Sequence, residues 1–98
     1  MGNLKKLFSV LTSDLEHCYI TGDTNIAIHH VFGANNRKRS EHYGFLLPLR
    51  PDWHNMREYG VHFNRELDLK FKRMAQTYYE ENIGTRQVFI AEFGKSYL

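Results

Sequence analysis

The residues in this chain best suited to chemistry are histidines. There are six among 98 residues, and four of them fall in a suggestive order. His29 and His30 are adjacent, His54 follows Trp53, and His62 lies two residues past Gly60. Neutral imidazole is a common ligand for divalent metals and also a general base near neutral pH. Adjacent strand residues point to opposite faces, so His29 and His30 serve one site only where a strand ends or bulges. Imidazoles delivered by a strand end, a short helix and the turn after it can converge on a divalent metal. Glu58, one helical turn from His54, competes for a place in such a ligand set. His17 and His42 have no such context and read as surface residues.

Elements must hold these residues in place. Leu4, Leu7, Phe8 and Leu11 have helical spacing, but the segment is short enough to be an extended arm instead. His17 to Ile20, the turn Thr21-Gly22-Asp23 and the run Asn25 to Val31 read as a β-hairpin. The polar stretch GANNRKRSEH, with its basic cluster Arg37, Lys38 and Arg39, reads as a long exposed loop. After the apolar Phe45–Leu49, Pro51 and Asp52 suit the entry to a short helix over about Trp53–Tyr59, with Gly60 as a left-handed stop. The long helix Arg65–Asn82, capped by Asn64, carries the stripe Leu67, Phe71, Met74, Ala75 and Tyr78. A last helix, Arg86–Phe93, is capped by Thr85 and ended by Gly94. The order is helix or arm, hairpin, loop, short helix, long helix, short helix, in an α+β domain.

Composition bounds the rest. A chain of 98 residues has room for one domain with one modest core, here expected over 1–98. The hydrophobic share of 42%, including 14% aromatic, supports a folded core, and no stretch is long and apolar enough for a membrane span. The opening MGNLKKLFSVLTSD lacks a signal-peptide pattern, and Lys6 stands where a myristoylation motif needs Ser or Thr; the expected compartment is the cytoplasm of a bacterial host. Cys18 is the single cysteine, which rules out an internal disulfide and a four-cysteine zinc site. A net charge of +2 permits nucleic-acid binding without demanding it.

The stretch IHHVFGANNRKRSEHYGFLLPLRPDWHNMREYGVHFN, continued by RELDLKFKRMAQTYYEEN and TRQVFIAEFGKSYL, resembles small phage and prophage HNH endonucleases of the His-Me finger superfamily. The likeness rests on the HH pair, WHN and GVH taken together, and covers nearly the whole chain. It implies a ββα-metal fold, a hairpin plus helix around one ion, with additional C-terminal helices. It also implies hydrolysis of DNA phosphodiester bonds. By the same resemblance His29 and His54 are metal ligands, His30 is the general base, and His62 is favoured over Glu58 as third protein ligand. The implied cofactor is one divalent ion, Mg, Mn, Zn or Ni, and the implied partner is DNA, with Arg37, Lys38 and Arg39 on its phosphates. Phage or host recombination or packaging proteins are further expected partners, and a membrane is not.

The chain departs from the pattern twice. Thr21, Arg50 and Trp53 stand where relatives have cysteine partners for Cys18, so stability must come from the aromatic core. Phe45 stands near the place of the Asn that orients the base, leaving that task to a backbone carbonyl or Asn55. The rival reading is an HNH-fold DNA-binding, assembly or regulatory module with little or no turnover.

Overall fold

The computed structural model describes residues 6–98, an α+β domain whose sheet is a single pair of antiparallel strands. Strand β1 (Ala27–His30) pairs with β2 (Leu46–Leu49) in the register Ala27↔Leu49, Ile28↔Pro48, His29↔Leu47 and His30↔Leu46. Helix α1 (Arg37–Tyr43) lies between the strands, preceded by a 3-10 turn at Ala34–Asn36. After β2 come a π-helical turn (Asp52–Met56), α2 (Arg65–Asn82) and α3 (Arg86–Phe93). No helix among the described residues is long and apolar enough to cross a membrane.

The two C-terminal helices match the sequence reading to the residue. Asn64 accepts from the Leu67 amide at 3.2 Å, Thr85 accepts from the Val88 amide at 3.2 Å, and Gly94 takes the left-handed conformation that ends α3. The core is aromatic as expected. Phe32, Phe45, Phe71, Tyr79, Phe89 and Phe93 are buried together, with Leu67, Met74 and Tyr78 of the α2 stripe packed against them. Tyr79 and Gln76 are also buried, because α2 is covered on a wider arc than one stripe once α3 and the C-terminal tail close over it. The Tyr43 and Tyr79 hydroxyls both donate to Glu92, so the polar ends of this core are satisfied.

The expected hairpin is corrected. Residues 17–20 are not a strand: Cys18 and Gly22 close a tight turn, with Gly22 at φ 79°, and only the Tyr19 amide reaches β2, bonding the Pro48 carbonyl at 2.8 Å. The partner of β1 lies instead across α1, so the segment expected to be an exposed loop is a helix. Its basic first turn opposes the helix dipole, and α1 is held by tertiary contacts. Buried Ser40 accepts from the Phe32 amide at 3.0 Å and donates to the Phe32 carbonyl at 2.7 Å, clamping α1 to the chain just beyond β1. Gly44, at φ 77°, then turns the chain into β2. Of the expected first helix, residues 1–5 lie outside the described residues. The rest is an arm whose Val10 amide and Ser9 hydroxyl bond the carbonyls of Gly44 and Leu46.

Cys18 is buried, and its sulfur accepts from the backbone amides of Thr21 and Arg50, at 3.4 and 3.2 Å. Residues 18, 21 and 50 therefore do meet. The side chain of Arg50 ties this corner together, bidentate to Asp52 and 3.6 Å from Asp23.

Candidate metal centre

Strand alternation and the end of β1 at His30 together decide where the adjacent histidines go. His29 points inward and is 3% exposed, its ring 6.3 Å from that of Phe71. Over it lie the rings of His54 and His62, with centroids 5.3 and 5.2 Å away. One nitrogen from each of His29, His54 and His62 falls within 4.8 Å of the others.

His54 comes from the π-helical turn, a distortion common where a helix must re-aim a side chain. His62 is brought alongside by two backbone hydrogen bonds, Val61 amide to Trp53 carbonyl at 2.7 Å and His62 amide to His54 carbonyl at 3.1 Å. Two expected features of this loop are corrected. Asp52 does not cap the helix; its carboxylate accepts from Arg50 and from the Tyr59 hydroxyl at 2.8 Å, fastening the loop's far end. Gly60 is not left-handed. It is needed because the chain passes so close that a Cβ there would sit 2.8 Å from the Asp52 carbonyl oxygen and 3.0 Å from that of Arg57. Gly60→Ala should therefore separate residues 61–62 from 53–54, costing about 1–3 kcal/mol of stability and weakening metal affinity, as thermal melts and metal titration would show.

The chemistry of the cluster fits a cation. Both ring nitrogens of His29 are buried without a hydrogen-bond partner, a loss of about 1–3 kcal/mol for each unmatched group. The Nε2 atoms of His54 and His62 stand 3.0 Å apart; with neutral rings, one of them must surrender its lone pair for a hydrogen bond to form, whereas a cation accepts both. Burial, reinforced by the neighbouring imidazoles of His54 and His62, pushes the His29 pKa down from 6.5 to about 3. Burial and then His62 lower that of His54. Neutral imidazole, the form that binds metal, is thereby favoured.

These shifts set a pH dependence for the metal-free protein. Above about pH 6.5 both folded and unfolded His29 are neutral and contribute no slope. As pH falls from there toward 3, the unfolded chain takes up a proton that the folded chain refuses, and stability drops. Denaturant midpoints in chelator should fall between pH 7 and pH 4, a change on the order of a few kcal/mol. The slope should be shallower in His29→Leu.

His30 is not one of the three clustered histidines, and its Nε2 meets the Glu41 carboxylate at 2.7 Å. Glu41 was not singled out by sequence. With residues 37–43 helical, Arg37 and Glu41 are one turn apart on one face, a signal hidden when the segment is read as a loop. His30 therefore has a carboxylate partner, while Phe45 is wholly buried in the core. His29, His30, Arg37, His54, Asn55 and His62 line one cavity of about 240 Å³. Of the basic cluster, only Arg37 reaches this cavity; Lys38 and Arg39 lie exposed on α1, with Arg39 bonded to the Asn36 side chain at 3.1 Å. Glu58 is exposed and outside the cluster, as are His42 and His17, the latter paired with Asp14. Comparison with protein-family models, curated proteins and solved structures gave no match.

Proposed function

We propose that this protein is a metal-dependent DNA endonuclease with an HNH-type ββα-metal site, in which β1, β2 and the π-helical turn form the finger. The observation that carries the reading is His29, buried with both nitrogens unpartnered beneath His54 and His62, next in sequence to a histidine held by a carboxylate. His29, His54 and His62 hold one divalent ion; an imidazole-rich set tolerates Zn, Ni, Mn or Mg. When bound, that ion supplies Lewis-acid stabilisation of charge developing on the phosphate and on the leaving 3′-oxygen.

The chain's own residues do the rest. An ionised Glu41 can only accept, so the shared Nε2 of His30 carries the proton and Nδ1 holds the lone pair. His30 takes the proton of the attacking water at Nδ1, while Glu41 fixes the ring and stabilises the imidazolium that forms. Hydrolysis leaves 5′-phosphate and 3′-hydroxyl ends. Arg37, at the cavity wall, binds a phosphate oxygen, and Lys38 and Arg39 add a field that is largely blind to sequence.

A plasmid-nicking assay tests the proposal. Chelator-stripped protein should be inactive and should regain cleavage with one or more of Mg, Mn, Zn and Ni. DNA binding without cleavage under every metal would support the non-catalytic module instead. Replacing Arg37, Lys38 and Arg39 with Ala should weaken binding similarly for unrelated DNA sequences. The slope of log affinity against log salt should fall by about 0.9 for each duplex phosphate that the variant no longer neutralises. An unchanged slope would remove this face of α1 from the DNA interface.

A further inference from the structure

Three adjoining cavities meet at His62. The first, of about 240 Å³, runs from the histidines toward Arg37. A second, of about 320 Å³, shares His29, His30 and His62 with it and extends to Asp68, Lys72 and Tyr97. A third, of about 410 Å³, continues from His62 and Lys72 to Arg65 and Phe63. Together they make a trough that crosses the metal centre from α1 to the start of α2. One cation, Arg37, stands at one end, and Lys72 and Arg65 stand at the other.

Lys72 is the better placed of the latter two. Its ammonium lies 2.7 Å from Asp68 and 5.5 Å from the Tyr97 ring centroid. Tyr97 is itself fixed: its amide donates to buried Gln76 at 2.7 Å, its carbonyl accepts from Arg73 at 3.1 Å, and its ring packs 5.7 Å from Phe32. A pair with a carboxylate does not make Lys72 inert. One acceptor leaves two of the three ammonium protons available, and a partly exposed i,i+4 pair is weak enough for a phosphate to compete with. Asp68 and Tyr97 hold the long side chain in one place, which reduces the ordering cost of binding an anion.

We propose that Lys72 binds the backbone phosphate flanking the scissile one, so that a nucleic-acid strand lies along the trough between Arg37 and Lys72. This rests on the nuclease reading above and adds the path of the substrate to it. Such a contact needs no base and confers no sequence preference.

Binding of a fluorescent DNA duplex, followed by anisotropy from 50 to 200 mM salt with EDTA present so that the DNA stays intact, tests the path. Lys72→Gln should lower the salt slope by about 0.9 and weaken binding severalfold at low salt, and Lys72→Arg should keep the wild-type slope. Lys95→Gln is the matched control. Lys95 lies 5.3 Å from the same Tyr97 ring but outside the trough, so it removes the same charge and should leave the slope unchanged. Wild-type binding with an unaltered slope in Lys72→Gln overturns the inference and spares the nuclease reading. An equal drop in Lys95→Gln overturns it too, by showing a diffuse field. Absence of wild-type binding overturns the inference as well and leaves the nuclease reading to the nicking assay.

Discussion

His30→Ala should abolish DNA cleavage while leaving metal affinity nearly unchanged. A general base activates water without joining the ligand set, and its loss costs typically 10²–10⁴-fold in rate. This division of labour rests on the His30 ring bonding to Glu41 beside, and not within, the group formed by the ligand atoms of His29, His54 and His62. Glu41→Gln keeps a side chain able to accept from Nε2 but removes the charge that stabilises the imidazolium. It should reduce turnover less than His30→Ala and leave both metal and DNA affinity intact. Turnover retained in His30→Ala, or metal lost from it, would exchange the roles of His29 and His30.

The second large effect concerns the third ligand. His62→Ala should lower metal affinity sharply, with partial recovery of activity in excess metal because His29 and His54 remain. Glu58→Gln should change metal binding little, since Glu58 is exposed and stands apart from the cluster. Calorimetric titration of the two variants separates them. The reverse order would give the ligand role to Glu58 and leave His62 to the substrate.

The helices were legible where local signals agree with the fold. Asn64 and Thr85 cap, Gly94 stops, and the apolar spacing of α2 matches the face it buries, so α2 and α3 follow from sequence alone. The three clustered histidines were also legible, from their order together with the resemblance. What sequence concealed is held by contacts between one element and another. The polar segment GANNRKRSEH contains a helix because Ser40 binds the Phe32 backbone from both sides, a pairing no local pattern announces. Misreading it hid Glu41 and gave β1 the wrong partner. Asp52 and Gly60 look like a cap and a stop, yet one anchors a loop through Tyr59 and the other permits a close crossing. Local propensity assigned each a plausible task, and the tertiary arrangement around His54 and His62 assigned another.

On the proposed reading, His29, His54 and His62 hold one divalent ion. Anomalous diffraction at the zinc edge, from crystals of the wild-type protein grown with zinc, tests it most directly. One strong peak should appear, bonded to a nitrogen of each of these three rings at about 2.0–2.1 Å, and none between His30 and Glu41. A peak at the His30–Glu41 pair, or no peak at the three-histidine cluster, would contradict it.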